Sequence, residues 1–226
     1  MTDTLVNDVI SDVKAHIGEN AWEKLQVETQ IGIITSEMCY LSFKKDGRFD
    51  FSSAIVPAMK GLELELRRVF YEPYLDYLAS NYTPDQYVGI NWNKKYPGDQ
   101  RAAEQRNKIL SFDGTKLHYQ PLSNEFTIGN FRYTIGATSL YHIHVDETFI
   151  QFAQNDFYKD YNVQKQEIIN WIKSLIPEIE GLRKIRNDSS HAGKIQNALD
   201  AQTVLQKLIE VEKILALIVA PPFALV

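Results

Sequence analysis

The chain has 226 residues, 44% of them hydrophobic and 23% charged, a balance that suits a soluble globular protein with a sizeable core. A formal net charge of −5 excludes a generally basic nucleic-acid coat protein but leaves room for a local basic site. The single cysteine, Cys39, rules out an intrachain disulfide and a cysteine-rich zinc centre, and a reducing cytoplasm fits best. The N-terminal stretch MTDTLVNDVISDV is acidic and lacks a long apolar core, so it does not read as a signal peptide.

Leu5, Val9, Val13 and Ile17 form a helical stripe over residues 3–17, which Gly18 ends, with Asn20 placed to cap the next segment. Residues 21–43 carry Trp22, Leu25, Ile31, Ile34, Met38 and Leu41 and read as a helix, although Ile-Gly-Ile-Ile-Thr would also suit a strand. Lys-Lys-Asp-Gly-Arg at 44–48 is a turn. Residues 52–80 give the clearest helix, capped by Ser52 or Ser53, with Pro57 near its start. Met59, Leu62, Leu66, Val69 and Phe70 make its apolar face, and Pro73 is expected to kink or break it. Residues 82–145 change character: Gly, Pro and aromatics recur, and Lys116–Gln120 and Phe131–Gly136 alternate as short strands do, with turns at Asn124 and Gly129-Asn130. Helices return near 146–159, 165–185 and 197–219, with Pro177 expected to bend the second. The last has Val204, Leu205, Leu208, Val211, Leu215 and Ile218 on one side. The run ILALIVAPPFALV at 214–226 is too short for a membrane span of ~20 residues. It calls for a partner to cover it, or for the sequence to be part of a longer one. The expected architecture is one mainly α domain over 1–226, a helical bundle with a small, partly β insertion at about 82–145.

The stretch with the most chemistry is Leu182–Lys194, LRKIRNDSSHAGK. Arg183, Lys184, Arg186 and Lys194 stand there against Asp188 alone, a basic island in an acidic chain. Cleaving RNA without a metal requires a base for the 2′-hydroxyl, a cation for the charged phosphorane and an acid for the leaving 5′-oxygen. Histidine suits proton transfer near neutral pH, and arginine suits the phosphate oxygens. Five residues at 100° each put Arg186 and His191 about 140° apart on an ideal helix, whereas Asn187 and His191 share a face. One histidine and one arginine make half a site, and a two-fold dimer would supply two of each. The bland alternative is a basic helix end offsetting the macrodipole, followed by loop residues.

Arg186-Asn187-Asp188-Ser189-Ser190-His191, followed by Ala192-Gly193, resembles the Arg-polar-x-x-x-His motif of the HEPN superfamily (higher eukaryotes and prokaryotes nucleotide-binding domains). The helix order is similar too: a long helix with Gly61-Leu62-Glu63-Leu64-Glu65-Leu66, an insertion, a helix ending in the motif and a closing helix. Phe126-Thr127-Ile128-Gly129 also resembles segments of some HEPN subgroups. The pattern covers roughly 50–219, and its specific part is 182–193. The resemblance implies an HEPN-like bundle acting as a metal-independent endoribonuclease, a homodimer that needs no cofactor. It would be a toxin or antiviral-defence effector, held by an antitoxin or part of a larger effector complex. Arg186 and His191 would be catalytic, Asn187 supporting, and Arg183, Lys184 and Lys194 RNA-binding. The alternative within the resemblance is a non-catalytic interaction or nucleotide-binding module.

Other candidates are weaker. His142 and His144, with Asp146 nearby, have the alternation a metal site on a strand would need, and they support a minor reading as a metal-dependent hydrolase. Glu63 and Glu65 point to different sides of their helix and read as solvated charge, unless one of them orients Arg186. Aromatics in 112–161 could stack on bases, though packing explains them as well. Cys39 reads as buried and inert. There is neither a Gly-rich phosphate loop nor a Gly-x-Ser-x-Gly.

Overall fold

A computed structural model describes residues 3–46, 49–83, 85–86, 110–113, 116–119, 127–135, 145–159, 163–190, 196–220 and 223. The fold is mainly α. Helices α1 (Asp3–Ile17), α2 (Glu19–Lys24), α3 (Val27–Phe43), α4 (Ser52–Leu66) and α5 (Glu72–Asn81) come first. A hairpin of β1 (Leu110–Asp113) and β2 (Lys116–Tyr119) follows, paired antiparallel with Leu110 opposite Tyr119. Then come α6 (Ile128–Thr134), α7 (Glu147–Phe152), α8 (Lys165–Ser190), α9 (Ala198–Leu205) and α10 (Ile214–Val219). Among the described residues three π-helical turns, Arg67–Tyr71, Ala153–Phe157 and Gln206–Glu210, adjoin α5, α7 and α9. The described residues divide into two compact units, Met1–Leu66 with Glu178–Pro222, and Arg67–Pro177 with Phe223–Val226.

In the first unit α3 and α4 lie close because small residues meet. A Cβ on Gly32 would stand 2.6 Å from the Pro57 carbonyl oxygen, and one on Gly61 would stand 3.1 Å from the Thr29 methyl. The Thr29 hydroxyl donates to the Gly61 carbonyl at 3.3 Å, and the Ser36 hydroxyl accepts the Ala58 N–H at 2.9 Å, next to Pro57. These two polar side chains are fully buried, and each is satisfied across the helix pair. Around this seam Val9, Val13 and Ile17 of α1, Ile55, Met59 and Leu62 of α4, and Val204, Leu205 and Leu208 near α9 fill the core. Ile214, Leu215 and Ile218 are buried in the same unit, where α10 packs on α2 and α4. The chain itself covers these three residues of the apolar run at 214–226, most of whose remainder lies outside the described residues.

The second unit is an aromatic core. Phe70 packs near Phe131, Phe149, Phe157 and Trp171, with ring centroids 5.5–6.3 Å apart. Tyr158 meets Trp171 and Phe223 edge-on. Such tilted and edge-on pairs add to the burial of the rings. Asp146 caps α7, accepting the Thr148 N–H at 2.7 Å and its hydroxyl at 2.5 Å, and Thr148 in turn meets the Tyr74 hydroxyl.

Several local expectations give way. Gly18, at φ 93, caps α2, and Asn20 sits inside that helix. Residues 21–43 hold two helices, because Leu25 and Gln26 are extended between them. Pro73 stands at the second position of α5, directly after a π turn, so the helical path from α4 does not break there. Phe131–Thr134 is helical, not a strand, and Gly129-Asn130 lies in the same helix. Helix α8 runs to Ser190, five residues beyond the end expected near 185, with Pro177 inside it. Val211, placed on the apolar face by period, is exposed, as are Leu5 and Ile31.

Candidate functional site

Helix α8 carries Arg183, Lys184, Arg186 and Asn187 in its last two turns and stays helical to Ser190. Arg186 is half-buried, and its Nη2 lies 3.5 Å from Oε1 of Glu63 on α4. Glu63 is only 6% exposed, and Lys60, one turn earlier on α4, brings its ammonium to 3.8 Å from Oε2. A carboxylate removed from water needs compensating charge, and two cations here converge on one anion. Neither glutamate is solvated, and Glu63 is the one that faces Arg186, the alternative the sequence had left open. Glu65 is fully buried, accepts the Gln26 backbone N–H at 2.7 Å, and so fixes the start of α3.

Arg183 is bound differently. Its Nε donates to Glu180, one turn back, at 2.9 Å, and Glu180 is itself buried. Lys184 is exposed, and Asn187 is half-buried beside Arg186. His191 and Lys194 lie outside the described residues, as do His142 and His144. The chain is anchored again just beyond. Asp50 Oδ1 accepts the Gln196 N–H at 3.1 Å, and the Phe51 N–H donates to the Gln196 carbonyl. The same Asp50 oxygen takes the Ser52 N–H and hydroxyl. Desolvation pushes the Asp50 carboxyl up, but these hydrogen bonds outweigh it and hold it below its usual value. Gln196, six residues past the end of α8 at Ser190, is thus pinned to the Asp50 turn.

Sequence reasoning missed Glu180 and Lys60. The i,i+3 spacing to Arg183 was the available signal for Glu180; Lys60 carried the same signal toward Glu63, but only once Glu63 was known to be buried. The remaining candidates have ordinary packing roles. Asp146 is engaged as a helix cap. Cys39 is half-buried, not buried as its apolar run suggested. Phe131, Phe149, Phe152 and Tyr158 are buried in the aromatic core and offer no face to a base. No group of metal-ligating side chains forms among the described residues, and none of their helices is long and apolar enough to cross a membrane.

The second unit holds a shallow groove of about 280 Å³ that no sequence pattern signalled, with Pro73, Tyr77, Phe152 and Phe157 as apolar walls and Asp76 and Asp156 at its rim. Burial, then the neighbouring Tyr82 and Asp156, push the Tyr77 hydroxyl up, against a hydrogen bond with Asn155. Compared with family models, with curated proteins and with solved structures, the chain matches none.

Proposed function

We propose that the chain is a metal-independent endoribonuclease of HEPN type, a homodimer that cleaves RNA as a toxin or antiviral-defence effector. The observation that carries this reading is Arg186. A guanidinium that stays charged is held against a buried carboxylate, with about a third of its side chain open to solvent, five residues before His191. In the proposed reaction one His191 takes the proton from the 2′-hydroxyl, whose oxygen attacks the adjacent phosphorus. Arg186 stabilises the charge that develops on the phosphoryl oxygens. His191 of the second protomer protonates the departing 5′-oxygen, leaving a 2′,3′-cyclic phosphate. Arg183, Lys184 and Lys194 contact the RNA backbone, and Asn187 orients His191. An HEPN-like bundle with its partly β insertion belongs to the same proposal.

The test is cleavage of a fluorescent oligoribonucleotide in EDTA. The expected outcome is a cyclic phosphate end, a loss of about 10²–10⁴-fold for His191→Ala, and about 10²–10³-fold for Arg186→Ala. Cleavage that requires a metal, or that survives both substitutions, sinks the reading. A non-catalytic interaction module is the second reading. It draws on Val27 and Ile31, which stand one turn apart on α3, 62% and 57% exposed. It predicts intact RNA in the same assay.

A further inference from the structure

We propose that Glu63 is the positioning residue for Arg186, an inference that rests on the ribonuclease reading above. An arginine at the end of a helix can place its guanidinium over a wide arc, because several side-chain torsions are free. A phosphoryl oxygen in flight tolerates little of that arc, since a misplacement of about 1 Å can cost 10²-fold in rate. Glu63 narrows the arc. It sits on α4, whose neighbouring residues are locked against α3 through Gly61 and Glu65, so its carboxylate has a fixed address. Its burial makes the attraction for Arg186 stronger than between two exposed side chains. One oxygen faces Arg186 at 3.5 Å and the other faces Lys60 at 3.8 Å. That division matters chemically. A lone carboxylate beside Arg186 would cancel the charge that a phosphate needs. With Lys60, 54% exposed, on its far oxygen, the trio carries a net positive charge while the guanidinium stays oriented. Glu63 touches neither substrate nor reacting atoms, and acts only through Arg186.

The experiment uses the full chain in the EDTA assay, with Glu63→Gln alone and combined with Arg186→Ala. Glu63→Gln keeps the shape and removes the charge. The expected result is a fall in kcat of about 10–100-fold with KM within about twofold. In the Arg186→Ala background Glu63→Gln changes kcat by less than about twofold, because the effect runs through the missing guanidinium. A purely structural role gives another pattern, since a smaller folded fraction lowers both backgrounds by the same factor. Glu65→Gln, which weakens the neighbouring structural contact, serves as the comparison and lowers the melting midpoint more than it lowers kcat. Equal factors in both backgrounds, or a Glu63→Gln chain as fast as the wild type, overturn the inference while leaving the ribonuclease reading in place. A wild-type chain that leaves RNA intact overturns both.

Discussion

Glu37 shows how a single side chain can weigh on the fold. Its Oε2 is buried with no hydrogen-bond partner among the described residues. Desolvation and the nearby Glu210 push its carboxyl up, Lys44 and His16 pull it down, and Asp12 adds to the rise. A raised folded pKa means the folded chain holds this proton more tightly than the unfolded one. Stability is then fullest below the unfolded carboxylate value and falls as pH rises toward the folded one. Glu37→Gln removes that loss. Its melting midpoint is expected to exceed the wild type's at pH 7, the gap closing as the pH is lowered through the carboxylate range; a thermal melt across pH 4 to 8 reads it. A gap that persists unchanged at pH 4 would contradict the account. At this scale the sequence was least legible. Glu63 and Glu65 stand two apart, which on a helix means different faces, and that ordinarily leaves at least one in water. Both are buried, because α4 is enclosed on more than one side. The sequence left open that one of them faces Arg186, but nothing local says which, because Arg186 is remote in the chain.

Elements were legible where the apolar period ran unbroken. Val9, Val13 and Ile17 gave α1 its bounds, and Ile168, Ile172, Leu175 and Ile179 gave α8 its buried face. Misreadings cluster where the period is altered. The π turn at Gln206–Glu210 is wider than an α turn, so Leu208 and Ile209 stay buried while Val211 rotates out to 69% exposure. Phe131, Tyr133 and Ile135 alternate as a strand would, but α6 buries Ile128, Phe131 and Thr134 at helical spacing, and Ile135 is buried just past its end. Two glycines separate packing from propensity. Gly32→Ala would drive a Cβ into the Pro57 carbonyl and is expected to destabilise by about 1–3 kcal/mol despite the better helix former. Gly181→Ala, in α8 with nothing within 4 Å of the added carbon, should stabilise by about 0.4–1 kcal/mol. Urea denaturation of the two variants checks both signs, and a stabilising Gly32→Ala would refute the close contact of α3 with α4.

For the molecule as a whole, charge is unevenly distributed: an acidic chain with a cluster of cations in 183–194. On the proposed ribonuclease reading, binding of a non-cleavable 2′-deoxy oligonucleotide should weaken steeply with salt. Lys184→Ala, which removes an exposed cation, should reduce the slope of log affinity against log salt by about 0.7. Fluorescence anisotropy across a salt series measures it, and an unchanged slope removes Lys184 from the contact surface. The mainly α class was readable from composition and period alone, whereas the aromatic core was not, because Phe70, Phe131, Phe149 and Trp171 come from separate elements. The turn at Ala153–Phe157 holds one more residue than an α turn would, and it delivers Phe157 to Phe70 and Tyr158 to Trp171. The Tyr158 N–H bonds the Ala153 carbonyl across this turn at 2.8 Å, so excising one residue from it would turn that bond into an α bond and leave Tyr158 in place. A deletion at exposed Asn155 or Asp156 would therefore be absorbed by the turn and spare the interior, as trimming either side chain to alanine would.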